Sequence, residues 1–360
     1  MKDWFEILRP DSLLTPALLF YPQRIARNIE KMIQIAGSPS RLRPHVKTHK
    51  CTEIVQMQLK KGICKFKCAT LAESKMLAKA GAKDILVAYP LVGPAQILFL
   101  ELCKTYANSR FSVLVDHEDQ LELWDKKGEK ISVFIDLNVG MNRTGIQMQE
   151  AAAFYKRVLH SSQTNFMGWH LYDGHIHDIA IADREGAVAE AFSGLEQLLN
   201  KTGTQDAEIT CGGSITFPVH AKYAHRTLSP GTTLLWDEGY ASVFPDLPFE
   251  NAATVGTRVI SKPAADTLCL DLGHKAVASE MKKDSVFFPQ LPDAKILVHS
   301  EEHMVIKTNQ AKNRHIGDIL YGIPWHICPT VALHYQAAIV ENQDLTGFWE
   351  IGARDRIYKL

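Results

Sequence analysis

Residues 41–50 read RLRPHVKTHK and set Lys47 between His45 and His49, with Arg43 and Lys50 close by and Pro44 stiffening the chain. Like charges at short range, together with any burial, disfavour an ammonium. They leave a neutral amine able to attack a carbonyl carbon and make a Schiff base. The same ten residues also read as a solvated basic turn, so this stretch alone does not decide.

Five further stretches carry chemistry-bearing residues. Gly140-Met141-Asn142-Arg143-Thr144-Gly145 flanks an arginine with glycines, a tight turn that can aim a fixed cation at a phenolate oxygen. Tyr172-Asp173-Gly174-His175, followed by His177, offers a ring to stack, a carboxylate to orient a base and an imidazole to move a proton. Thr210-Cys211-Gly212-Gly213-Ser214 and Leu228-Ser229-Pro230-Gly231-Thr232 can each turn backbone N–H groups and a hydroxyl toward a phosphate. His326-Ile327-Cys328 puts an imidazole and a thiol two residues apart. On a strand that spacing places both on one face, where they can share a divalent metal and leave positions open for water or substrate. Each stretch has a structural reading too: a glycine turn with a surface arginine, an ordinary Gly-Gly turn, a buried histidine and cysteine.

These residues need elements that bring them together. From residue 15 to 250, strand-like runs alternate with helical ones. The short apolar run 17–20 precedes a helix from Pro22, and strand-like runs follow at 65–71, 84–90, 111–116, 131–138, 166–174, 207–213 and 226–236. Helical patterns lie between them, including one over 147–160 and one over 184–200. About eight strand–helix units predict a parallel (β/α)8 barrel, an α/β fold whose sites form where strands end. Every stretch singled out up to Thr232 falls at such an end. Residues 251–360 lack long helical patterns, and runs such as ILYGIPWHI read as strands, so a mostly β domain is expected there, packed with residues 1–14.

Composition narrows the classes. The chain has 360 residues, 46% apolar and 22% charged, with 40 basic and 40 acidic side chains. Zero net charge argues against nucleic-acid or membrane-surface binding. No apolar run of about 18 residues suggests a spanning helix. The charged opening MKDWFEILRPD does not read as a secretory signal. Seven scattered cysteines, with one CxxxC pair and no second, fit a reduced cytoplasmic protein better than a disulfide framework or a structural zinc site.

In order along the chain, RPHVKTHK, KCATLAE, GMNRTG, LYDGH, CGGSITFP, LSPGT, WDEGY, DLGHKA, EEH and HICPT resemble the D-threonine aldolase and D-serine dehydratase group of pyridoxal-phosphate enzymes. Those are fold-type III enzymes with an alanine-racemase-like catalytic domain. The resemblance runs from about Thr15 to the C-terminus. It implies pyridoxal 5'-phosphate on Lys47 as the Schiff-base lysine, with Arg143 near its phenolate and Tyr172 at its ring. Ser214, Gly231 and Thr232 would hold its phosphate in turns shaped by Gly212 and Gly213. His326 and Cys328 would bind a catalytic divalent metal, zinc in preference to manganese or magnesium. His175 would transfer a proton and Tyr240 would line the wall. The substrate implied is a small D-amino acid bearing a β-hydroxyl, the assembly a homodimer. Two outcomes branch at that hydroxyl. Removal of the Cα proton by Lys47 and loss of the hydroxyl give a 2-oxo acid and ammonia. Deprotonation of the hydroxyl, with a histidine as the candidate base, breaks Cα–Cβ and gives glycine and an aldehyde. The better-known D-threonine aldolases carry HCD at the metal motif, whereas His-x-Cys is similar to the D-serine dehydratase arrangement, which favours dehydration with aldol cleavage as the alternative. A racemase would need no metal, and a non-catalytic pyridoxal-phosphate carrier would lack the second domain.

Overall fold

The alternation of apolar strands and helices across residues 65–228 folds as a parallel sheet. The computed structural model describes residues 3–281 and 285–356. The chain divides into two units, one of Met32–Lys47, Val55–Gly231 and Asp355–Leu360, the other of Met1–Lys31, Thr48–Ile54 and Thr232–Arg354.

In the first unit, seven strands pair in parallel in chain order: Lys65–Cys68, Asp84–Pro90, Arg110–Val115, Ile131–Asn138, Thr164–Leu171, Glu208–Cys211 and Arg226–Leu228. The ring is closed by residues 42–46. Leu42 bridges Leu228 and His45 bridges Lys67, both in parallel. Arg43 N donates to Leu228 O at 2.8 Å, His45 N to Pro230 O at 2.8 Å and Lys67 N to Pro44 O at 2.9 Å. The eighth strand position of the barrel is therefore the residues that lead directly into Lys47.

The run Ala17–Phe20, expected as the first barrel strand, belongs elsewhere. It pairs antiparallel with Ala253–Ala264 and parallel with Gln336–Glu341. The expected helix over 184–200 is two helices, Ile181–Ala191 and Leu195–Thr202, parted at Ser193-Gly194.

Local chemistry fixes the barrel helices. The helix Leu71–Ala80 starts at Thr70, whose hydroxyl accepts from Glu73 N, while the Glu73 carboxylate accepts from Ala69 N at 2.7 Å. That reciprocal pair satisfies two orphan donors, and Gly81, at φ 95°, ends the helix. The opening residues of three strands hold the far end of the barrel together. The fully buried Arg43 lies 2.7 Å from Asp84 Oδ1 and 2.9 Å from Glu208 Oε1, and Lys65 lies 2.7 Å from Glu208 Oε2. This ion network occupies the N-terminal strand ends, the stabilising face of such barrels.

The second unit is mostly β. A nine-stranded mixed sheet runs in the order Lys295–His299, Met304–Lys307, Thr267–Leu270, Ala253–Ala264, Ala17–Phe20, Gln336–Glu341, Asp344–Glu350. Ile319–Pro324 joins on Ala253–Ala264, and Val286–Phe287 on Ile319–Pro324. Its core clusters include Val255, Val259, Leu268, Leu270, Met304 and Ile306 on one side, and Phe5, Ile7, Leu19, Tyr321 and Ala338 on the other. No helix among the described residues is long and apolar enough to cross a membrane.

Candidate active site

The barrel mouth gathers three cations on one phenol. Lys47 Nζ lies 5.7 Å from the Tyr172 ring centroid, Lys67 Nζ 5.5 Å and the Arg143 guanidinium carbon 5.4 Å. The negative face of an aromatic ring attracts each of them. Lys47 sits half-buried directly after the closing segment, its N–H on His45 Nδ1 at 3.2 Å.

A turn built on the Asn138 side chain presents Arg143. The Asn138 side-chain oxygen accepts from Gly140 N at 3.0 Å and Asn142 N at 3.1 Å. The Thr144 hydroxyl donates to Asp136 Oδ2 at 2.8 Å, and Gly145 N to Asp116 Oδ2 at 2.6 Å. Gly145 has φ 101°, and a Cβ there would meet Asn138 N at 2.6 Å, so only glycine fits. His175 is exposed and packs over Gly140, where an added Cβ would meet its Nε2 at 2.7 Å. At Gly174 an added Cβ would overlap the Tyr172 ring.

Behind Tyr172 stands a buried chain that the sequence reading did not single out. His170 Nδ1 lies 2.7 Å from Asp136 Oδ1, and its Nε2 3.4 Å from Lys67 Nζ. Burial, then the nearby Lys67 charge, hold His170 below its ordinary value against the pull of Asp136. A neutral His170 donates from Nδ1 to Asp136 and accepts at Nε2 from Lys67. Lys67 itself is pushed down to about 7, first by burial and then by the charge of Lys47. The available sign was a lysine inside the barrel strand Lys65–Cys68, flanked by Phe66 and Cys68.

The phosphate-type turn is braced from below. Gly213 N donates to Thr216 Oγ1 at 3.0 Å, and the Thr216 hydroxyl to Asp173 Oδ1 at 2.8 Å. Asp173 Oδ2 lies 2.7 Å from His220 Nε2, and His220 Nδ1 2.8 Å from Arg226. Burial opposes charge on His220, but the Cys211 sulfur and the Asp173 carboxylate outweigh it and raise the imidazole to about 9. Gly212, at φ 79°, lies against His220, where a Cβ would meet Cδ2 at 2.8 Å. Gly213 N is thus spent on Thr216. Gly231 N donates to the Ser214 hydroxyl at 3.2 Å, a second link across the same turn. An amine, a guanidinium, an aromatic platform and this turn around one barrel mouth fit a phosphorylated aromatic aldehyde such as pyridoxal phosphate.

The second unit carries the metal-type pair. The two residues do not lie on a strand: Ile319–Pro324 ends first, His326 is the N-cap and Cys328 lies in the first turn of the helix Ile327–Leu333. The extended His326 backbone (φ −131°) lets its side chain hydrogen-bond Cys328 although the strand argument fails. Burial raises the Cys328 thiol, but the hydrogen bond and charge of His326, with Thr48, hold it below its ordinary value. Thr48 Oγ1 lies 3.2 Å from the sulfur and Thr232 Oγ1 3.6 Å. Burial opposes charge on His326, while Cys328 and Glu280 raise it to about 9. Glu280 takes Nδ1 of His326, which leaves Nε2 as the nitrogen for a metal. No group of three or more His, Cys, Asp or Glu able to hold a metal occurs among the described residues. A thiolate–imidazole donor pair fits a soft divalent ion with open positions. Asp237 fixes the helix, accepting from Ile327 N at 3.0 Å and Tyr240 N at 3.1 Å. Tyr240 packs on Trp236, ring centroids 5.3 Å apart.

Lys47, Arg143, Tyr172, His175, Gly212, Gly213, Ser214 and Gly231 therefore fall in one unit, and Thr232, Tyr240, His326 and Cys328 in the other. Two boundaries cut the peptide bonds 47–48 and 231–232. Lys67, His170, Asp136, Thr216, His220, Thr48, Asp237 and Glu280 add to these groups.

Residues 21–238 match the family of the alanine racemase N-terminal domain, and residues 252–340 a putative serine dehydratase domain. A D-threonine aldolase of Arthrobacter sp is 30% identical over 330 residues, 87% of this chain and 85% of that protein. The crystal structure of a D-threonine aldolase from Filomicrobium marinum superposes with a TM-score of 0.86 at 24% identity, covering 98% of this chain and 99% of that one. A cysteine-to-alanine variant of a D-threo-3-hydroxyaspartate dehydratase, solved in the metal-free form, gives 0.81 at 22% identity, covering 97% and 99%. The chain belongs to the alanine racemase N-terminal domain family, in the group of lyases that includes the D-threonine aldolases.

Proposed function

We propose that this chain is a pyridoxal-phosphate-dependent, divalent-metal-assisted lyase that removes the β-hydroxyl from a D-β-hydroxy-amino acid, D-serine in the simplest case, to give a 2-oxo acid and ammonia. The observation that carries dehydration is the hydrogen-bonded His326–Cys328 pair with threonine hydroxyls on the sulfur. A dehydratase of this fold has been solved metal-free as a cysteine variant. That supports a metal-binding role for Cys328.

Bound pyridoxal phosphate supplies an electron sink for charge developing at Cα. Lys47 would hold the cofactor, and its free amine would accept the Cα proton. Arg143 would steady the phenolate oxygen, and Tyr172 would lie at the ring. Ser214, Gly231 N–H and Thr232 are the groups that would bind the phosphate, in turns that Gly212 and Gly213 permit. His326 and Cys328 hold the metal, zinc by donor softness, and Glu280 orients the imidazole. His175, exposed at the mouth beside Gly140, carries a proton, and Tyr240 lines the wall. Seven free cysteines support a reducing, cytoplasmic setting, and the family resemblance supports a homodimer. Retro-aldol cleavage to glycine and an aldehyde is the second reading. It is favoured by the 30% identity to a D-threonine aldolase.

The test is a near-ultraviolet and visible absorption spectrum of the protein with pyridoxal phosphate, before and after borohydride. A visible band in the wild type that is absent in Lys47→Ala supports the cofactor assignment. A wild-type protein that gains no band, and no covalent adduct on reduction, overturns it.

A further inference from the structure

The cations at the barrel mouth outnumber the carboxylates able to balance them. Asp136 is engaged by His170 and Thr144, and Asp173 by His220 and Thr216. Among the described residues, no carboxylate hydrogen-bonds Lys47, Lys67 or Arg143. Two of these three cations have roles in the cofactor assignment, and Lys67 has none. Yet its side chain is the most enclosed, in a residue 3% exposed. It projects from the strand Lys65–Cys68, whose Lys67 is the bridge partner of His45, two residues before Lys47. His170 Nε2 at 3.4 Å steadies its amine, and Asp136 in turn fixes the His170 ring. The same Asp136 ties down the turn carrying Arg143, through Thr144 at 2.8 Å. One carboxylate thus organises two of the three cations.

We propose that Lys67 is a cofactor-positioning residue, whose buried ammonium, held by the His170–Asp136 pair, supplies positive charge toward the aromatic ring of pyridoxal phosphate bound against Tyr172. The proposal rests on the cofactor reading above. An unpaired buried ammonium is unfavourable, and an anionic ring repays that cost when it binds. The groups that face Lys67 are Lys47, His170, Asp136, Asp173, Cys211 and Tyr172. Of these, the lysine repels its charge and the carboxylates favour it. Without cofactor, burial and Lys47 draw the amine close to neutrality, so cofactor binding should be accompanied by proton uptake at Lys67.

The test titrates apo-protein with pyridoxal phosphate, read by tryptophan fluorescence, for wild type, K67M and K67R at pH 6.5 and 8.5. Wild-type affinity should be higher at the lower pH. K67M should bind at least about tenfold more weakly at pH 6.5, the scale of losing one nearby charge, with its pH dependence flattened. K67R should restore binding at both pH values. The pH midpoint of the bound cofactor's absorbance should move in K67M and return toward wild type in K67R, which a purely structural lysine would not produce. K67Q serves as the neutral variant should K67M fail to fold, as checked by thermal melting. Wild-type binding with an unchanged K67M (or folded K67Q) affinity and midpoint overturns this proposal alone. Wild-type protein that binds no pyridoxal phosphate overturns the cofactor reading and this proposal together.

Discussion

Replacing Asp173 by asparagine keeps the shape of the side chain and removes the charge beneath the Gly212–Gly213 turn. Asp173 and His220 are both fully buried, 2.7 Å apart. The histidine is raised from 6.5 to about 9, with burial opposing and Cys211 and Asp173 favouring the charged form. At about 1.36 kcal/mol per tenfold change in proton affinity, the rise from 6.5 to about 9 corresponds to about 3 kcal/mol of folded-state stabilisation, shared between Cys211 and Asp173. The sign follows from the raised value. The stabilisation is complete below about 6.5, where His220 is protonated in both states, and is lost as pH rises through about 9. Urea unfolding of wild type and Asp173→Asn at pH 6.5 and 9.5 reads this directly. With a slope of about 3 kcal/mol per molar, losing all of this stabilisation would lower the midpoint by about 1 M; Cys211 supplies part and stays in the variant, so the midpoint should fall by less than about 1 M at pH 6.5 and by still less at pH 9.5. Because Asp173 also holds Thr216, which accepts from Gly213 N, the variant should lose affinity for pyridoxal phosphate more than for pyridoxal. A variant as stable as wild type at pH 6.5, or a deficit that does not shrink with pH, would refute the reasoning.

Three further outcomes follow from the same structure. Arg43→Met leaves Asp84 to Arg110 alone and Glu208 to Lys65 alone, and should cost about 1–3 kcal/mol in denaturant unfolding. Gly174→Ala forces the Tyr172 ring aside and should weaken cofactor binding while costing only about 1–3 kcal/mol of stability, read by fluorescence titration beside thermal melting. Cys328→Ala should lose bound metal by elemental analysis and turnover by product assay, yet keep the absorbance of bound cofactor, because the thiol itself is not among the groups assigned to hold it; chelation of the wild type should mimic it and zinc should reverse the chelation.

Much of the mouth was legible because strand ends with short polar or glycine-rich motifs are conspicuous between apolar runs. Lys47, Arg143, Tyr172 and the Gly212–Ser214 turn were found that way, and three of them meet on one ring. What closes the barrel was not. Residues 42–46 contain Pro44 and make only isolated bridges, whereas ALLF at 17–20 has the apolar run of a buried strand and pairs in the other sheet. The HICPT stretch was misread as a strand although Pro329 is well suited to the first turn of a helix, where its missing N–H costs nothing. Lys67 and His170 sit inside strands among apolar neighbours. Only the three-dimensional ring, which aims both at Tyr172 and Asp136, gives them meaning.

The most direct test of the central claim is product analysis of the purified protein, loaded with pyridoxal phosphate and zinc and given D-serine and D-threonine separately. The account predicts a 2-oxo acid and ammonia from D-serine, abolished in Cys328→Ala. Glycine and acetaldehyde from D-threonine, with D-serine left unchanged by a protein that carries the cofactor, would contradict it and assign the His326–Cys328 centre to carbon–carbon cleavage.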